Sequence, residues 1–148
     1  MNIERIRLGA YSGVAGGIIF GMMMGIMGML PMVGMMAGSS SAAVGFLVHM
    51  GISAVIGAGF GMLLGATAHR LRSALGAGMA YGFAWWLLGP LTLMPLFMGM
   101  GLGANWSTGA MAQAMPSLMG HVLFGAVVGF TYNRLLLGSR RQLAMRAA

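Results

Sequence analysis

Cysteine, lysine and aspartate are missing from this chain, and glutamate occurs once, at Glu4. Without cysteine there is no thiolate nucleophile, no disulfide and no Cys-ligated zinc or iron–sulfur centre. With a single carboxylate beside the amino end, paired-carboxylate acid/base chemistry and carboxylate-ligated metals are excluded. Most hydrolase and oxidoreductase mechanisms fall away with them, and a non-enzymatic protein is expected. Charge of either sign is scarce: 6% of residues are charged, where soluble domains carry about 25%. What is present instead is apolar, with 59% hydrophobic residues and a mean hydropathy of +0.88. Such a chain is a membrane protein, and the lipid bilayer is its first partner.

The positive charges, all arginine, divide it. Residues 8–69 and 73–133 are uncharged runs of 62 and 61 residues. A helix crosses a bilayer with about 20 apolar residues, so each run holds two crossings and a turn. Helices are required because lipid offers the backbone no hydrogen bonds. The predicted spans are residues 9–36, 43–68, 73–100 and 116–137. Every arginine then lies on one side: Arg5 and Arg7, the connection with Arg70 and Arg72, and the tail with Arg134, Arg140, Arg141 and Arg146. The positive-inside rule makes that side the cytoplasm, giving an inner-membrane protein with both termini cytoplasmic. The basic pI of 11.8 is therefore a topology signal. No basic groove points to nucleic acid, although clustered arginine suits anionic lipid headgroups. The first apolar stretch is too long for a signal-peptide core and lacks an A-x-A site, so it is expected to remain as a transmembrane helix.

The two halves also match residue by residue. Arg5-Ile6-Arg7 answers Arg70-Leu71-Arg72, and Gly13-Val14-Ala15-Gly16-Gly17 answers Gly78-Met79-Ala80-Tyr81-Gly82 at the same offset of 65. Met29-Leu30-Pro31-Met32 pairs with Leu93-Met94-Pro95-Leu96, and His49, Gly57 and Phe60 pair with His121, Gly129 and Tyr132. The expected architecture is an all-α four-helix membrane domain over residues 1–148. It is built from two tandem hairpins, residues 5–69 and 70–141, with a short basic tail at 138–148. Each unit crosses twice, so both enter the membrane in the same direction, related by a pseudo-two-fold axis along its normal. The second unit has the longer outer loop.

Glycine supplies 27 of 148 residues, against a usual share of about 7%. It recurs every four residues, as in Gly17, Gly21, Gly25 and Gly57, Gly61, Gly65, which makes a smooth helix face for close packing. A conducting pore would show polar rings in the spans, and none is visible. Gly89-Pro90 predicts a kink in the third span, and Pro116 is expected to start the fourth. Tyr11, Tyr132 and Trp106 read as interfacial anchors. Trp85-Trp86 falls mid-span, facing lipid, another helix or a cofactor.

Two constellations could carry chemistry. His49 and His121 occupy equivalent positions, expected near the outer leaflet boundary, and each has small residues one turn away on both sides: Gly45 and Ser53, Ser117 and Gly125. That frame suits a flat tetrapyrrole, haem or chlorophyll-type, ligated through the imidazoles. The first reading, however, is that each imidazole hydrogen-bonds a neighbouring helix or interfacial water. The 19 methionines include Met23/Met27 and Met32/Met36 at i,i+4, where two thioethers could meet Cu(I). The pattern loosely resembles copper transporters, but methionines occur around the whole helix with no Met- or His-rich outer segment, so they read first as adaptable filler beside glycine. Ser39-Ser40-Ser41 near His49 lacks an oxyanion element and an orienting acid, so it reads as a turn capping the second helix.

Trp85-Trp86-Leu87-Leu88-Gly89-Pro90-Leu91 and Met119-Gly120-His121 resemble segments of small glycine- and methionine-rich bacterial multi-pass membrane proteins, a similarity that runs through most of the chain. It implies a multi-pass fold and brings no activity with it. The expected role is an accessory or assembly subunit that packs on partner membrane helices, in a homo- or hetero-oligomer. The alternatives are a tetrapyrrole-binding subunit using His49 and His121, and a protein handling Cu(I) or another small solute.

Overall fold

The computed structural model describes residues 3–146, and among them all regular structure is helical. The elements are α1 (Ile3–Ile26), α2 (Leu30–Met35), α3 (Ala42–Leu63), α4 (Leu71–Leu88), a π-helical turn (Gly89–Leu93), α5 (Met94–Phe97) and α6 (Thr108–Arg146). Four stretches are long and apolar enough to cross a membrane: Ile3–Ile26, Ala42–Leu63, Leu71–Phe97 and Thr108–Arg146.

The first span departs from the expected continuous helix over residues 9–36. Gly28 takes φ +68°, a conformation that costs glycine nothing because it has no Cβ. Around it Gly28 N–H bonds Gly25 O at 3.2 Å and Met29 N–H bonds Met24 O at 2.8 Å. This pair of bonds is a Schellman C-cap, which satisfies the last carbonyls of α1. Pro31 then opens α2, where its missing N–H costs nothing. In the third span the chain bends at the expected Gly89-Pro90, but as a π turn: Met94 N–H reaches back to Gly89 O. Asn105 Nδ2 donates to Pro90 O at 2.9 Å and Thr92 Oγ1 to Leu87 O at 2.8 Å.

Three further expectations are corrected. Pro116 lies inside α6 and does not begin it. Nearby Ala114 O accepts from Trp86 Nε1 at 3.1 Å and from Ser117 Oγ at 2.9 Å, which ties this stretch of α6 to α4. The basic tail from residue 138 is no separate segment, since α6 runs on to Arg146; residues 147 and 148 lie outside the described chain. Tyr132 is fully buried against Phe60, with ring centroids 5.6 Å apart, and is no interfacial anchor. Tyr11 and Trp106, at 58% and 46% exposure, keep open positions.

Glycines bring the backbones together. A methyl added at Gly13 would strike Ser53 O and come within 2.8 Å of the Gly57 Cα. One added at Gly125 would strike Gly78 O and come within 3.0 Å of the Gly82 N. The pairs α1·α3 and α4·α6 therefore touch backbone to backbone and run antiparallel. In the first, Gly9 meets Gly61 near one end while Gly21 meets Phe46 and His49 near the other. Helix α1 also packs along α6, with Gly16 against Phe124 and Val128, and Gly120 against the Phe20 ring. Asn133 Nδ2 donates to Ala68 O at 2.8 Å and His69 O at 3.2 Å, and Ser139 Oγ donates to Glu4. These contacts collect the arginine-bearing segments at one end of the helices. The serine-rich turn places Ser41 at the N-cap of α3, though without a side-chain capping bond.

Candidate functional site: two imidazoles in an apolar cleft

Helices α3 and α4 do not pack against each other as the other neighbours do. Tyr81 props them apart: its ring stands 5.5 Å from Phe60 in a T-shaped arrangement, and its hydroxyl donates to Ile56 O at 2.8 Å. Beyond this bridge lies a cavity of about 370 Å³, within the range of small-ligand sites. Phe20 and Met24 of α1 and His121 and Ser117 of α6 form its floor, α3 contributes His49, and Trp85 and Gly89 come from the α4 side. A smaller recess of about 60 Å³ continues past both imidazoles to Ser53 and Phe124.

The two histidines that the sequence pairs thus line one cavity, and both contact one ring. Phe20 stacks edge-on with His49 at 5.4 Å and with His121 at 4.8 Å between centroids. His49 Nε2 lies 3.0 Å from Gly17 O. A carbonyl only accepts, so Nε2 carries the proton and Nδ1 carries a lone pair. The Ser53 hydroxyl lies 3.4 Å from the same Nε2; this serine, not Ser39, Ser40 or Ser41, is the hydroxyl neighbour of His49. The ring edge at Cδ2 faces Gly21, which turns Nδ1 away from α1. His121 Nδ1 lies 2.7 Å from Ser117 O, so by the same reasoning Nδ1 is protonated and Nε2 holds the lone pair. That Nε2 would lie 3.7 Å from a methyl placed on Gly89.

Both imidazoles are thus fixed in tautomer and orientation by a backbone carbonyl, the device that orients histidine as a ligand. What they leave over is electron pairs, with no donor hydrogen. The cavity adds thioethers to these: Met24, Met29, Met32, Met36 and Met94 line it. Of the i,i+4 methionine pairs, Met32 and Met36 reach the cavity, whereas Met23 and Met27 do not. Met23 packs on the core and Met27 is 47% exposed.

The small neighbours of the histidines have another occupation. Gly45 admits the Leu30 carbonyl of α2, Ser53 sits against Gly17, and Gly125 against Gly78. Gly45 and Gly125 serve helix approach, while Ser117 lines the cavity and Ser53 its smaller recess. Trp86 is 3% exposed and tied to α6, while Trp85 faces the cavity. Asn133 and Tyr81 escaped the sequence reading; as polar groups within apolar spans they were findable as helix-to-helix donors. Among the described residues no three His, Cys, Asp or Glu side chains converge on a metal position. Comparison with protein-family models, with curated proteins and with solved structures gives no match.

Proposed function

We propose that this chain is a non-enzymatic inner-membrane accessory protein that holds an electron-pair acceptor in the cleft between α3 and α4. The acceptor is a metal ion, either free or at the centre of a tetrapyrrole. One observation carries the reading: His49 and His121 line the same cavity, each with one nitrogen spent on a carbonyl and the other presenting a lone pair. Ionisable groups are costly within a membrane and mark functional positions there.

In this proposal the chain is two tandem hairpins, residues 5–69 and 70–141, inserted in the same direction. The matched glycine contacts support it, Gly13 against Gly57 in one pair and Gly78 against Gly125 in the other. Arginine at one end of the helices supports cytoplasmic termini. The outward faces, with Leu47, Val55 and Met119 more than two-thirds exposed, meet lipid or the helices of a larger assembly. The test is purification from native membranes in mild detergent, with metal analysis and a visible spectrum of the same sample. Bound metal, or a Soret-type band, that His49→Leu and His121→Leu both remove is the expected result. A colourless, metal-free protein running alone overturns the proposal.

A further inference from the structure

We infer that the cleft takes a soft monovalent cation of the Cu(I) class, bound by His49 Nδ1, His121 Nε2 and the Met24 thioether. This rests on the reading of the cavity as an electron-pair donor site and deepens it by naming the acceptor. Three observations select the ion. The donors are imidazole nitrogen and thioether sulfur, a soft set that suits Cu(I). They are also neutral. The chain's one carboxylate, Glu4, lies at the arginine end beside Ser139, so nothing acidic lines the cavity to offset a second positive charge. The cost of burying an ion in a low dielectric grows with the square of its charge, so a monovalent ion suits this cavity and a divalent one does not. Finally, a flat macrocycle is disfavoured, because Gly45 and Gly125 are taken up by neighbouring helices and the Phe20 ring lies within 5.4 Å of both imidazoles.

The break at Gly28 gives the remaining methionines a part. It redirects the chain so that Met29, Met32 and Met36 line the cavity together with Met24. They form a thioether-lined approach to the imidazoles. The ion enters as Cu(I) and stays Cu(I), so no electron donor or acceptor is needed.

The test uses the full chain in detergent, freed of metal and titrated anaerobically with Cu(I) against a colorimetric Cu(I) chelator. Parallel titrations use Zn(II) and haem. The expected result is one Cu(I) retained per chain, with nitrogen and sulfur scatterers in its X-ray absorption spectrum. His121→Leu and Met24→Leu should each weaken retention at least tenfold, and Met23→Leu with Met27→Leu should leave it unchanged. Gly89→Ala keeps every ligand and sets a methyl 3.7 Å from His121 Nε2. It should weaken retention severalfold, which covers the case in which a histidine variant fails to fold. With Ag(I) as a diamagnetic probe, the ¹⁵N signals of His49 Nδ1 and His121 Nε2 should move more than those of their ring partners. Equal retention of Zn(II), or haem bound in place of Cu(I), overturns the soft-ion inference and leaves the donor-site reading standing. Failure to retain any of the three overturns both.

Discussion

The two sides of this molecule on which its helix pairs could meet have opposite fates. Along one, α1 closes on α6, with Gly16 admitting Phe124 and Val128. Along the other, α3 and α4 stay apart, and the residue that aligns with Gly16 at the offset of 65 is Tyr81, whose ring reaches Phe60 and whose hydroxyl reaches Ile56 O. Glycine at one position goes with a closed seam, and tyrosine at the other with an open cleft. The lesson is that a cavity in lipid can be made by propping. Between helices, packing without a hydrophobic driving force depends on how closely surfaces approach, and one large side chain prevents that approach.

The comparison can be broken most severely on the glycine seams. Gly125→Leu should abolish cooperative unfolding in detergent, because even a methyl there collides with the Gly78 carbonyl and the backbones cannot retreat without separating α4 from α6. Phe20→Ala acts where the closed seam and the cleft share a wall. It should cost about 3 kcal/mol in unfolding free energy through lost packing and enlarge the cavity, read as tighter binding of a small apolar probe. A smaller effect sharpens the account of the open side. Tyr81→Phe keeps the ring and loses the hydrogen bond to Ile56, so stability should fall by about 1 kcal/mol. The distance between spin labels at Val55 and Phe83 should hold, and a narrowing would show that the bond, not the bulk, holds α3 from α4. Gly76→Ala is the weakest perturbation, since nothing lies within 4 Å of the added methyl. Stability should hold or rise by about 0.5–1 kcal/mol through helix propensity.

How much of this was written in the residues varies with the range of the interaction that decides it. Four spans followed from two uncharged runs between arginines, because the cost of burying charge in lipid is large and local. The internal match set His49 and His121 in equivalent positions as an expectation, and both line one cavity. The break at Gly28 did not, since in a chain with 27 glycines no single one stands out, and its left-handed turn depends on carbonyls of α1 finding partners. Pro116 was read as a helix start because its missing N–H is harmless there, whereas α6 begins at Thr108 and runs through it, and the contact of that stretch with Trp86, 28 residues away, has no local signal. Tyr132 was placed at the interface by its distance along the chain from arginine, whereas the Phe60 ring and the space over Gly65 take it inward. Which nitrogen of each histidine stays free was equally hidden, because it is set by Gly17 O on another helix in one case and by Ser117 O on the same helix in the other.

The backbone contacts of the glycine seams carry a further consequence. Where Gly13 meets Gly57 and Gly78 meets Gly125 there are no rotamers to freeze, so docking costs little side-chain entropy and leaves few alternative arrangements of nearly equal energy. Each pair is a stiff girder, and the imidazoles hang from girders, not from loops. For the proposed ligand site this means that both imidazoles are set in orientation during folding and not at the moment of capture.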